Sequence, residues 1–154
     1  NFLITQNIDG LHQKSGIPKN KMIEIHGNAI EAACLECGAK QNITDFHDAI
    51  KTKKQLPRCT VCNGTVKVAT ISFGQPMNEE DMEKASNIVE DSDLMIVMGS
   101  SLKVLPAGKL PNLAMQSGSK LVILNREKTR YDSIADMVIN DELQNICSGL
   151  IQEL

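Results

Sequence analysis

The sequence predicts an α/β fold: a Rossmann-like parallel sheet with helices on both faces, plus a small inserted module built on four cysteines. Three observations carry that expectation. Short aliphatic runs, Leu94-Met95-Ile96-Val97-Met98, Leu121-Val122-Ile123-Leu124 and Met137-Val138-Ile139, alternate with helical patterns, as in parallel sheets covered on both sides. Small or polar residues follow the runs, at the strand ends where open α/β sheets bind ligands. Two Cys-x-x-Cys pairs interrupt the aliphatic pattern. We divide the chain into an incomplete Rossmann-like domain, residues 1–32 and 69–154, and a module, residues 33–68. With 154 residues, 42% of them hydrophobic, the chain is long enough for one ordinary core and such a satellite.

Taken in order, Phe2-Leu3-Ile4 reads as a strand that enters the polar loop Thr5-Gln6-Asn7-Ile8-Asp9-Gly10. Asn1 is not a natural initiator and the strand begins abruptly, so we read the chain as cut at its front. Gly16-Ile17-Pro18 is a turn, and Met22-Ile23-Glu24-Ile25-His26 alternates weakly as a short strand. Within the module, Thr44 is placed to cap a short helix carrying Phe46, Ala49 and Ile50, which Pro57 ends. Ala69-Thr70-Ile71-Ser72-Phe73 is strand-like and stops at Gly74.

Asn78 can cap a helix whose first turn, Glu79-Glu80-Asp81, sets negative charge at the positive end of the helix dipole. Met82, Ala85, Ile88 and Val89 share one face of it. By composition, Leu94 to Met98 is buried on both faces and runs into Gly99-Ser100-Ser101. A helix over 107–116 follows, with Pro111 near its start and Gly118 as its stop. The strand at 121–124 ends at Asn125, and Leu143, Ile146, Leu150, Ile151 and Leu154 form the stripe of a C-terminal amphipathic helix.

Charge and composition exclude several classes. A net charge of -3, with Lys and Arg scattered, gives no footprint for nucleic acid, and one Tyr without Trp leaves no stacking platform. No apolar run approaches the roughly 20 residues of a membrane helix, and no signal-peptide pattern opens the chain.

The candidate chemistry falls in three places. In the first loop, Gln6, Asn7 and Asp9 offer amides and a carboxylate at a strand end, and His26 follows closely enough to fold back as a proton-moving group. A polar turn followed by a purely structural histidine fits the same spacing equally well. Gly99-Ser100-Ser101, between a strand and a helix, suits backbone N–H contacts to phosphate, and Asn125 suits a ribose hydroxyl or simply starts a turn. All lie on one edge of the expected sheet.

The cysteines give the strongest signal. Cys34-Leu35-Glu36-Cys37-Gly38 and Cys59-Thr60-Val61-Cys62-Asn63-Gly64 are tight turns separated by 21 residues, each aiming two sulfurs at one point. Four thiolates close a tetrahedral shell, so one structural Zn2+ is expected; a redox disulfide pair and a rubredoxin-type iron site are the alternatives. Paired cysteines without a secretory signal fit a reducing cytoplasm. Cys147, beside the last apolar stripe, reads as a buried spectator thiol.

Thr5-Gln6-Asn7-Ile8-Asp9, Leu11-His12, His26-Gly27, the two cysteine pairs, Phe73-Gly74, Gly99-Ser100-Ser101-Leu102, Val104 and Pro106-Ala107 together resemble the sirtuins, NAD-dependent protein-lysine deacylases. The resemblance implies that Asn7, Asp9, Gln6 and Ile8 serve the nicotinamide end of NAD, Asp9 holding the carboxamide. It implies that His26 is the general base on the nicotinamide ribose. The acyl oxygen would first displace nicotinamide from the anomeric carbon, and the product would be O-acyl-ADP-ribose. Gly99, Ser100 and Ser101 would contact the adenosine side and phosphates, with Asn125, Arg126 and Glu127 at the adenine ribose. An acyl-lysine protein or peptide would lie as an added strand along Ile71, Phe73, Gly74 and Gln75 on one side and Leu102, Lys103 and Val104 on the other. Phe73 would wall the acyl-lysine. No nucleic-acid or membrane partner is implied.

The chain departs from the family at Lys67-Val68-Ala69-Thr70-Ile71-Ser72-Phe73-Gly74-Gln75, which lacks the usual Pro and final Glu. The family's opening Gly-Ala-Gly phosphate loop and Arg-bearing cofactor loop have no counterpart here. ADP-ribosyl transfer within the same family, and a non-catalytic zinc-knuckle binding module, are the competing functions.

Overall fold

The computed structural model describes residues 1–52 and 56–152. It divides into two compact units, Asn1–Asp81 and Met82–Leu154.

In the first unit, β1 (Leu3–Thr5) runs parallel to β2 (Met22–Glu24), with Leu3 opposite Met22 and Thr5 opposite Glu24. Gly10 turns the chain with φ 73, a left-handed value that glycine adopts without a Cβ clash, into the single-turn helix α1 (Leu11–Lys14). A second sheet is antiparallel, in the order β4 (Lys40–Asn42), β3 (Gly27–Cys34), β5 (Val66–Thr70). The expected module edges at 33 and 68 fall inside β3 and β5.

After β4, Asn42 rather than Thr44 is the cap: its Oδ1 accepts from the Thr44 backbone N–H at 3.0 Å and starts a 3-10 turn, Ile43–Phe46. Thr44 lies two residues inside the cap, and its own backbone N–H is the free donor that Asn42 satisfies. The helix α2 (His47–Lys51) follows directly. The strand expected at 69–73 ends instead at Thr70, and residues 72–75 turn, with the Gln75 N–H donating to the Ser72 carbonyl at 2.9 Å.

Ala32, Cys34, Phe46, Cys59 and Val66 form the core of this sheet. Two of the five core residues are cysteines of the paired turns, so the apolar core is small and a cross-link through sulfur adds to it.

The second unit is parallel throughout. Its first helix, α3 (Glu79–Glu90), begins in the last residues of the first unit, where Asn78 caps it by accepting from the Asp81 N–H at 2.9 Å; Ala85 and Val89 are its buried positions. β6 (Leu94–Met98), β7 (Lys120–Leu124) and β8 (Met137–Ile139) pair in that order, with Ile96 opposite Val122 and Val122 opposite Met137. The stretch expected as one helix over 107–116 is a 3-10 turn, Ala107–Lys109, leading into α4 (Leu110–Gln116) with Pro111 in the first turn. It stops before Gly118 at φ 91. Val97, Leu121, Ile123, Leu102 and Tyr131 make the core on the side that α4 covers, joined by Met115.

The expectation that 94–98 is buried on both faces is not met. Leu94, Ile96 and Met98 are each about half exposed, because β6 is an edge strand and alternate residues point away from α4. Aliphatic composition records that a strand can be buried twice, not whether something covers each face. The C-terminal helix α5 (Leu143–Gln152) has only the far end of its stripe uncovered: Leu150 and Ile151 are exposed, while Leu143 and Ile146 are half-buried. Leu154 lies outside the described residues, and Cys147 is half-buried rather than buried.

Candidate metal centre and cofactor loops

The four cysteine sulfurs lie within 4.8 Å of one another. The antiparallel sheet does this: Cys34 ends β3 and pairs with Val66 on β5, so the first turn, 34–38, stands beside the second, 59–64. The Cys34 N–H donates to the Ala39 carbonyl at 3.0 Å and the Cys59 N–H to the Gly64 carbonyl at 2.8 Å, closing both turns. Asn63 takes φ 60 and Gly38 φ 72, as such turns require.

Cys34 Sγ is 3.5 Å from Cys62 Sγ, and Cys37 Sγ is 3.7 Å from Cys59 Sγ. Tetrahedral zinc with bonds of about 2.3 Å sets its sulfurs about 3.8 Å apart. A disulfide needs about 2.05 Å. The four sulfurs are therefore positioned to bind one zinc ion, and with no ligand place left over the metal is structural.

The thiols are unequal. The backbone N–H groups of Cys62 and then Val61 lower Cys59 to about 6 against the opposing burial. At Cys34 the Cys37 N–H lowers the pKa, but burial and the Cys62 and Glu36 side chains outweigh it and push the thiol up to about 12. Glu36 itself is held below the usual carboxylate range, first by the Thr65 backbone N–H and then by the Cys34 thiol.

The first loop is built from β1 and β2. The Ile25 N–H donates to the Thr5 carbonyl at 3.0 Å, carrying the pairing one residue beyond the strands, and brings His26 alongside Gln6. His26 Nδ1 lies 3.2 Å from the Gln6 carbonyl oxygen. A carbonyl only accepts, so Nδ1 carries the proton and neutral His26 keeps its lone pair on Nε2. On its other side the His26 carbonyl accepts from the Ile71 N–H at 2.9 Å. Gly27, at φ 72, passes so near the Ala69 carbonyl that a Cβ would collide with it. The histidine is fixed from both directions.

Asn7 and Asp9 are exposed in this loop, Gln6 and His26 half-buried. The Asn7 N–H donates to Thr5 Oγ1 at 3.1 Å, and the Ala29 N–H to the Ile8 carbonyl at 2.8 Å. Asp9 Oδ1 accepts from the Leu11 N–H at 3.0 Å, so one carboxylate oxygen starts α1.

In the second unit Gly99 follows β6 at φ 61 and donates its N–H to the Leu124 carbonyl at 3.0 Å. Ser100 Oγ accepts from the Leu102 N–H at 3.2 Å, while Ser101 and Lys103 are exposed. Leu102 is buried despite φ 55. Asn125 is 8% exposed and donates to the Glu127 carbonyl at 2.6 Å, so in this structure its side chain shapes a turn. Arg126 pairs with Glu142 at 3.1 Å and Glu127 at 3.6 Å, all three exposed. Of the residues expected at the substrate, Phe73 is fully exposed, Gly74 takes φ 82, and Gln75 Oε1 accepts from Lys67 Nζ at 3.0 Å. Val104 is also exposed.

Sequence reasoning missed Arg130 and Tyr131. Arg130 donates to the Gly108 carbonyl at 2.7 Å and the Tyr131 hydroxyl to the same oxygen at 2.9 Å, clamping the start of the turn before α4. Nothing local in Thr129-Arg130-Tyr131-Asp132 announces that partner. It also missed Glu36, inside the first cysteine pair, and Gln41, outside both, each within hydrogen-bond distance of a site sulfur.

A parallel strand–helix–strand unit with glycine after a strand, joined in one chain to a four-cysteine lobe placed to bind zinc, defines a Rossmann-like α/β class with a small metal module. The Sir2 family pattern matches residues 1–106. An NAD-dependent protein deacetylase of Rhodopseudomonas palustris is 44% identical over 141 residues, covering 92% of this chain and 56% of that protein. NAD-dependent protein deacetylase 1 of Bradyrhizobium diazoefficiens is 47% identical, covering 92% and 55%. Among solved structures, a Sir2 protein with a p53 peptide and NAD+ superposes with a TM-score of 0.88 at 35% identity, covering 99% of this chain and 62% of that one. A Sir2 bound to a propionylated peptide gives 0.90 at 36%, covering 99% and 63%. The chain belongs to the Sir2 family. It spans a little over half the length of those deacetylases.

Proposed function

We propose that this chain belongs to an NAD-dependent protein-lysine deacylase, and that His26 is its general base. The observation that carries the reading is the hydrogen bond between His26 Nδ1 and the Gln6 carbonyl, which leaves Nε2 free to accept a proton. Bound NAD supplies an electrophilic ribose carbon once nicotinamide leaves. Asn7, Asp9, Gln6 and Ile8 orient the nicotinamide end, His26 Nε2 takes the proton of a ribose hydroxyl, and Gly99, Ser100, Ser101, Asn125, Arg126 and Glu127 receive the adenosine side.

The peptide partner is an extended acyl-lysine segment. Ile71, Phe73, Gly74 and Gln75, with Leu102, Lys103 and Val104, offer it backbone groups and side-chain contacts. The exposure of Phe73 and Val104 supports a role in contact with a partner. Residues 1–32 and 69–154 form the NAD-binding domain and 33–68 the zinc module, which takes no part in the chemistry. The compartment is the cytoplasm: four free thiols gathered for a metal fit a reducing environment. No helix among the described residues is long and apolar enough to cross a membrane.

The test is mass spectrometry of products formed from NAD and an acetylated peptide by the whole protein. O-acyl-ADP-ribose with free lysine supports deacylation. ADP-ribosylated peptide with the acyl group retained, or no nicotinamide release, overturns it.

A further inference from the structure

Gln41 belongs to neither cysteine pair, yet its side chain reaches the second one. It sits on β4, opposite Ala32 of β3. Its Oε1 accepts from the Thr60 backbone N–H at 3.0 Å and from Thr60 Oγ1 at 2.8 Å. A backbone N–H can only donate, so the oxygen end of the amide must face Thr60. That leaves Nε2–H pointing at Cys59 Sγ, 3.4 Å away. The Val61 N–H donates to the same sulfur at 3.4 Å. Cys59 is 3% exposed, so water offers its sulfur little alternative donation.

We propose that Gln41 is a positioning residue of the zinc centre, its amide donating a hydrogen bond to the Cys59 thiolate while its oxygen holds the 59–62 turn at Thr60. Four thiolates around Zn2+ leave a net charge of −2, and N–H donors to sulfur spread that charge. The same amide ties the second turn to the strand that leads away from the first. One side chain thus sets both the charge at a ligand and the distance between the two pairs. No metal ligand is added, and the coordination shell stays Cys34, Cys37, Cys59 and Cys62.

The test uses the full chain with Gln41→Glu, Gln41→Met and Thr60→Val. Glu keeps an acceptor for Thr60 but aims a second acceptor at the sulfur; Met keeps the length and removes all three bonds; Val at position 60 removes only the hydroxyl bond to Oε1. Zinc retention against a competing chelator should fall about 10–100-fold in both Gln41 variants. With Co2+ in place of zinc, their sulfur-to-metal charge-transfer band should move to lower energy, because a thiolate without its N–H donor gives up an electron more readily. Thr60→Val should keep the band where it is. Unchanged retention in both Gln41 variants, or weaker retention with an unmoved band, overturns the proposal; the second result would make Gln41 a strut of the turn alone. A variant too unstable to titrate leaves the other Gln41 substitution to decide by the same band. None of these readouts depends on deacylation.

Discussion

His26 Nδ1 stands 3.2 Å from the backbone carbonyl of Gln6, twenty residues earlier in the chain. The bond fixes which ring nitrogen holds the proton, and it uses main chain rather than a side chain, so the imidazole is oriented whatever residue occupies position 6. Replacing His26 with Ala in the whole protein should lower kcat by roughly 10²–10⁴-fold, the usual worth of a general base. Zinc content and the thermal midpoint should stay put. Turnover within a few-fold of the parent would remove His26 from the mechanism.

Gly27 is the hinge that permits this placement. At φ 72, with the Ala69 carbonyl where a Cβ would be, Gly27→Ala has no room and the wrong backbone preference. Activity should drop at least tenfold, together with a lower melting temperature. A crystal structure of an active Gly27→Ala protein with an unshifted β5 would contradict the account.

Zinc removal should act on the first unit and spare the second. The sheet β4-β3-β5 has five core residues, two of them metal ligands, whereas the core of β6-β7-β8 contains none of the four cysteines. Hydrogen exchange after chelation should show lost protection across 27–70 and retained protection across 120–124. Uniform loss in both would show that the units do not separate energetically.

Ile123 is fully buried in the central strand β7. Ile123→Ala should cost about 2–5 kcal/mol in denaturant unfolding, the range for deleting a packed aliphatic side chain. Ile96→Ala, half exposed on the edge strand, should cost far less. Equal losses would mean that the outer face of β6 is covered in solution.

Asp136 gives the pH dependence. The Lys120 side chain and then the Leu121 backbone N–H hold its carboxyl below the usual aspartate range. A lowered folded-state pKa stabilises above the unfolded value and is lost as pH falls through the folded one. The stability gap between the parent and Asp136→Asn should therefore be constant above about pH 4 and close below it. Because the Lys120–Asp136 pair, 2.8 Å apart, is partly exposed, the gap should be small and should narrow in high salt. A gap that widens with acid would reverse the sign.

Element type was legible where local chemistry decides it. Asn78 followed by three acidic residues caps a helix, Gly118 stops one, and Leu121 to Leu124 is a buried strand, all as the residues alone suggest. The site was half legible. The cysteine spacing brings four sulfurs to one point, and the resemblance named Gln6, Asn7, Asp9 and His26. Asn125 suits a ribose contact or a turn by sequence alone, and in the structure its amide closes the turn at Glu127. Thr44 lost the cap to Asn42 over a distance of two residues, which propensities do not resolve.

By itself the sequence determined the aliphatic strands at 94–98, 121–124 and 137–139, the helix that Asn78 caps, the stop at Gly118 and the two cysteine turns, because each depends on groups within a few residues of one another; it did not announce β3 or β4. Only the tertiary structure decided that Nδ1 of His26 donates to Gln6, that Gln41 reaches Cys59, and that Leu94, Ile96 and Met98 face outward. Those three outcomes follow from strand order and register, which bring distant backbone together or leave a face uncovered. Periodicity along the chain carries no record of what lies across the sheet.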